Sequence, residues 1–175
     1  MKSNKAFTLI ELLVVVLIIG ILTAIAVPQY QKSVLKSRLH QGVSLVGSIY
    51  QAQQAYSLAH GDFATDIDEL DLSFPLNESC EKSQSGYSSF YTCDFGKLGQ
   101  EVRHKAVFFT PNNQDISYLY FFADDDIPSL NVTFEKDKRY CWARLDNTTA
   151  QEVCEGMGGV LIGENPGIWK YYELK

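Results

Sequence analysis

The sequence predicts an α+β fold: one long N-terminal helix, apolar and then amphipathic, packed on an antiparallel sheet of about four strands. Three observations predict it. Phe7 to Val27 is a 21-residue apolar run with one charged side chain, Glu11. Apolar residues then recur at threes and fours from Leu35 to Tyr56. Four β-branched and aromatic clusters follow between positions 105 and 145, with turn residues between them.

The apolar run comes first. A helix rises about 1.5 Å per residue, so 21 residues reach about 30 Å, the thickness of a bilayer's hydrocarbon core. A secretory signal peptide would need an apolar stretch of only about 7–15 residues and a small-residue cleavage site. This run is longer, which favours a retained single-span anchor. Lys2 and Lys5 precede it, and Lys32, Lys36 and Arg38 follow it, so basic residues on both sides say little about orientation. Gly20 and Pro28 bracket a segment of weakened helix backbone, and Pro28 permits a kink there.

The amphipathic part continues the same helix. Leu35, Leu39, Val43, Val46, Tyr50 and Tyr56 line one side, while Gln31, Lys36, Gln41, Ser44 and Gln51 fill the other. Phe7 to Ala59 thus reads as one helix of roughly 80 Å. Gly61 is its C-cap, and Asp66 to Leu72 is a short turn or helix in a long loop. Ser73 to Gly99 is polar and Ser- and Gly-rich, which predicts an irregular excursion. The strand candidates are 105–110, 117–123, 130–135 and 139–145. Short polar links, "DDDIP" among them, make them antiparallel neighbours in a meander. Thr149 and Glu152 fit a capping box for a helix ending near Gly158, and the tail "GIWKYYELK" is free to add a last strand.

The chain reads as one domain of 175 residues with a formal charge of −6. That charge lacks the basic footprint of a nucleic-acid binder, so a specific nucleic-acid ligand is not expected. Four cysteines stand at 80, 93, 141 and 154. Their spacing is not that of a zinc site, and no histidine adjoins them, so disulfides in an oxidising compartment are expected. Four cysteines allow three pairings; the local one, Cys80–Cys93 and Cys141–Cys154, is preferred. Asp124, Asp125 and Asp126 lack the alternating spacing of a calcium loop, so no metal is expected. N-V-T at 131 and N-T-T at 147 match the glycosylation pattern by composition alone. No nucleophile elbow, P-loop, HExxH or Rossmann signature appears, so the chain reads as a non-enzyme without a cofactor.

Glu11 requires a separate reason. A carboxylate inside a bilayer costs about 2.5–3.5 kcal/mol on insertion scales. A position near the interface would keep it wet; otherwise it needs a partner. The α-amino group of a chain cut before Phe7 is a suitable cation, best supplied by a neighbouring chain displaced along the helix axis.

"KAFTLIELLVVVLIIGILTAIAVPQYQKS" resembles the amino-terminal signature of type IV prepilins and of the related pseudopilins of type II secretion. A short basic leader, F-T-L-I-E, the apolar span, the glycine and P-Q-Y carry the likeness over the first thirty-odd residues. The resemblance implies a leader of residues 1–6, an assembly helix over 7–27, and a head over 28–175. It implies a prepilin peptidase that cuts between Ala6 and Phe7 and methylates the Phe7 amine. It further implies storage in the bacterial inner membrane, an assembly platform there, and polymerisation with itself and other pilins into an extracellular filament. Glu11, Gly20 and Pro28 would serve assembly, the helix loosening between Gly20 and Pro28. Cys141 and Cys154 resemble the pair that closes the carboxyl-terminal loop of many pilins. Ala6 departs from the family's usual glycine before the cut. A pseudopilin or minor pilin is the alternative within the family, and a non-polymerising single-span binding protein is the alternative outside it.

Overall fold

The computed structural model describes residues 8–73, 79–112, 115–127 and 132–175. The chain divides into two compact units, residues 1–34 and 35–175. Helix α1, Leu9–His60, contributes to both and carries Pro28 without interruption. Gly61 ends it with a positive φ of 82° and an N–H donated to the Ser57 carbonyl, so a left-handed residue stops the helix where the sequence places the cap.

The second unit is an α+β head. After a 3-10 turn at Ile67–Glu69 come β1 (Glu81–Ser85), β2 (Ser88–Cys93), β3 (Gly96–Glu101), β4 (Ala106–Pro111) and β5 (Ile116–Phe121). Then follow β6 (Asp125–Ile127), β7 (Val132–Phe134), β8 (Arg139–Arg144), helix α2 (Thr148–Gly156), β9 (Gly159–Asn165) and β10 (Trp169–Leu174). Among the described residues, eight strands form one sheet in the order β1-β2-β3-β4-β5-β8-β10-β9, and β6 pairs with β7 as a separate ribbon.

The sheet is thus larger than the four-strand meander that the sequence suggests. The stretch expected to be irregular holds β1, β2 and most of β3. β1 is exposed at all five positions, so it lacks the apolar alternation by which a strand is read. The 130–135 strand leaves the meander: its described part, β7, pairs with β6, which is built from the Asp-rich segment expected to be a turn. The tail supplies one strand, β10, and β9 precedes it.

Alternation along the strands splits the sheet into two faces. Leu98, Val107, Phe109, Ile116, Tyr118, Cys141 and Tyr172 form the inner core with α1. Leu35, Leu39, Gly42, Val46, Ile49 and Gln53 are the buried positions of α1, repeating at three and four. The buried line is thus turned slightly from the expected one: Val43, Tyr50 and Tyr56 flank it, partly buried. Gln53 is satisfied because its amide donates to the Ala64 carbonyl and its oxygen accepts from the Ala64 N–H, each at 3.0 Å. Tyr50 stacks on Tyr120 with centroids 3.9 Å apart, and its hydroxyl donates to Asp137. On the outer face, ribbon β6–β7 covers Phe121, Tyr140 and Tyr171 with Phe134 and Val132.

An ion cluster ties β1 to the loop after α1. Lys82 Nζ lies 2.7 Å from Asp66 and 2.6 Å from Asp68. Burial opposes ionisation of Asp66, but hydrogen bonds from the Asp68 N–H, Lys82 and Ser89 outweigh it and hold its pKa below the ordinary 3.8. Lys82 and then Tyr91 lower that of Asp68. Carboxylates depressed in the folded state stabilise above the unfolded pKa, and that contribution is lost as pH falls through the folded values. We therefore expect chemical denaturation of the detergent-solubilised chain to show a stability loss below pH 3.8. Lys82→Met should shrink that loss, by about 1 kcal/mol or less for groups this exposed.

Candidate functional site

The apolar half of α1 is built from β-branched and leucine side chains with no polar stripe. From Leu9, 81% exposed, to Val27, 44% exposed, every large apolar side chain faces outward. The most apolar 18-residue window has a mean hydropathy of 3.0 and none of it is buried. The helix is long and apolar enough to cross a membrane. An uncovered surface of this kind requires lipid or another protein.

Glu11 lies in the first turn and closes a capping box with Thr8. Its carboxylate accepts from the Thr8 N–H at 2.8 Å and from the Thr8 hydroxyl at 2.7 Å, and the Thr8 hydroxyl accepts from the Glu11 N–H at 3.3 Å. Two N–H groups at the start of the helix gain partners in this way. The sequence carries the signal, T-L-I-E, which fits the pattern of Ser or Thr followed three residues later by Glu. The carboxylate therefore has an intrachain role beside any role between chains.

Gly20 meets nothing within 4 Å of where a Cβ would stand. Pro28 lies inside the helix and denies the Ala24 carbonyl its donor. Between them, the Thr23 hydroxyl donates to the Ile19 carbonyl at 2.7 Å, a bond that competes with the helix ladder. Glu11, Gly20 and Pro28 share one helix but lie roughly 12–14 Å apart in succession along it. Ala6 and Phe7 fall outside the described residues.

Residues 1–27 match the family model of the prokaryotic N-terminal methylation motif. The chain is 37% identical over 161 residues to a fimbrial protein of Neisseria meningitidis serogroup A, covering 86% of this chain and 94% of that one. It belongs to the fimbrial protein family, the type IV pilins. A fimbrial protein of Pseudomonas aeruginosa is 36% identical over 96 residues, 54% of this pilin and 62% of that relative. The type IV major fimbrial protein FimA of Dichelobacter nodosus is 53% identical over 53 residues, 30% of this pilin and 34% of the relative. The pilin thus aligns with less than two thirds of the length of these two relatives. No solved structure matches it.

Both disulfides of this pilin are local. Cys80–Cys93 joins the approach to β1 to the end of β2, and Cys141–Cys154 joins β8 to α2. The second encloses a built turn. Asn147, not the expected Thr149, is the N-cap of α2: its side chain accepts from the Ala150 N–H at 3.0 Å and donates to Asp115 at 2.9 Å. Gln151 donates to the carbonyls of Arg144 and Leu145. Asn131, the other glycosylation match, lies outside the described residues. Asp124, Asp125 and Asp126 accept from the Lys136 N–H, His104 and the Thr133 hydroxyl respectively, His104 being the donor if protonated on Nδ1. No metal-capable cluster of three His, Cys, Asp or Glu occurs among the described residues. Cys141→Ser with Cys154→Ser is expected to lower head stability by about 3 kcal/mol, from the entropy of a loop of this length. Denaturant unfolding of the oxidised wild type against the double variant checks it.

Proposed function

We propose that this pilin is a structural subunit of a type IV pilus and works by polymerisation, not catalysis. The observation that supports this reading is the uncovered apolar helix surface from Leu9 to Val27, bearing one carboxylate. Before assembly the inner-membrane bilayer covers that surface; in the filament, the same helices of neighbouring subunits do. Prepilin peptidase removes residues 1–6 by cutting between Ala6 and Phe7, and Phe7 becomes N-methylated. A methylated secondary amine stays cationic and pairs with Glu11 of a neighbouring subunit. That cation draws the carboxylate away from the Thr8 cap of its own helix. Gly20, Thr23 and Pro28 mark the segment that unwinds as the helices pack, and the assembly platform supplies the motion. The product is an extracellular filament whose surface is formed by the heads.

Immunogold electron microscopy with an antibody against the head tests this directly. Filaments decorated along their length are expected. Label confined to the cell envelope would favour a single-span protein that never polymerises.

A further inference from the structure

The outer face of the sheet, away from α1, holds an open groove that the ribbon β6–β7 borders at one end. The register pairs Phe90 with Gly99, and Gly99 with Phe108. A Cβ at Gly99 would stand 2.3 Å from the Phe90 Cβ and 2.4 Å from the Ser89 carbonyl. The bare backbone therefore forms the floor between two rings whose centroids are 6.2 Å apart. Trp142 and Trp169 wall the groove further along. The cavity here is about 380 Å³, and a second of about 670 Å³ shares His104, Trp142 and Trp169 with it. Both volumes fall in the range of small-molecule sites, about 300–1,000 Å³.

The lining is two-sided in chemistry. Phe90, Phe108, Trp142 and Trp169 offer partly exposed aromatic surface. Glu101, Arg103, Asp126 and Asn165 supply acceptors and donors of both signs at the margins. Among the described residues, the Trp142 indole N–H is buried without a hydrogen-bond partner. Tyr171 holds the ring by an edge contact, centroids 5.0 Å apart, and Phe134 by a tilted one at 5.7 Å, so an acceptor that reaches the N–H displaces no existing hydrogen bond. An acyl chain would leave the charged margin unused, and a nucleic acid would meet acidic groups on a chain of net charge −6. A pyranose ring meets both requirements: one C–H face lies on an aromatic side chain while the hydroxyls reach the polar margin. We infer that this groove is a saccharide-binding site, independent of how the filament assembles.

The chain has two tryptophans, Trp142 and Trp169, and both line the groove. Tryptophan fluorescence of the full chain in a sugar-free detergent therefore reports on this site alone. The probes are the methyl pyranosides of glucose, galactose and mannose, and N-acetylglucosamine. A saturable change with at least one is expected, half-complete near about 1 mM for a ligand of about a dozen non-hydrogen atoms. Both indole N–H resonances should shift in the NMR spectrum of the wild type, and Thr110→Phe, which fills the groove, should abolish the response. No saturable response to any of the four sugars overturns the proposal. So does a response to hexanol alone, which would assign an apolar chain, or a concentration-dependent signal without sugar, which would assign a second copy. An undiminished response in folded Thr110→Phe overturns it as well.

Discussion

Glu11→Gln is expected to leave the pilin in the membrane and to remove it from filaments. The substitution separates two roles that Glu11→Ala would remove together. A glutamine oxygen still accepts from Thr8, so the capping box survives. The charge does not survive, and with it goes the proposed partner of the neighbouring Phe7 amine. Losing one member of a buried ion pair costs about 3–5 kcal/mol, because the other charge is left unpaired. At about 1.4 kcal/mol per tenfold, assembly should fall by about two to four orders of magnitude. Membrane levels of the chain should rise or hold, since a neutral side chain inserts more readily than a carboxylate. Quantifying pilin in sheared and membrane fractions measures both. Filaments at wild-type abundance in Glu11→Gln, with loss only in Glu11→Ala, would assign Glu11 to the cap and abolish the pairing role.

The second large effect lies in the head. At Gly42, α1 approaches the sheet closely: a Cβ there would stand 1.9 Å from the Phe109 ring. Phe109 is fully buried, so its ring has little room to retreat. Gly42→Ala is expected to cost about 1–3 kcal/mol through overpacking. Phe109→Ala should cost about 3–5 kcal/mol through the cavity that it leaves. The double variant should cost less than the sum, since the added methyl enters the vacated space. Near-UV circular dichroism during denaturant unfolding gives all three values. A Gly42→Ala chain as stable as wild type would show that the helix–sheet spacing is not set at this contact.

The long helix and strands β4, β5 and β8 are legible because their apolar residues are dense and periodic. Elsewhere the sequence carries weaker signals than the fold uses. β1, "EKSQS", is an exposed edge strand held by pairing to β2, so nothing in its own composition marks it. β3 carries Gly96 and Gly99, residues that lower strand propensity but here admit the close approach of neighbouring chain. Gly42 reads locally as a helix breaker, and its value lies in a contact with Phe109, 67 positions away. Asn147 matches a glycosylation pattern, and its place as a helix cap is not marked by that pattern. The Thr8–Glu11 box is written plainly in the sequence, but a carboxylate in an apolar run draws attention to its charge before its geometry. The outer groove depends on cross-strand register, which no local pattern specifies.

Mass spectrometry of intact fibres sheared from the source cells tests the central claim most directly. This chain is expected as a fibre component that begins at N-methylated Phe7 and lacks Met1 to Ala6. Recovery of the chain only in the membrane, with residues 1–6 still attached, would contradict it.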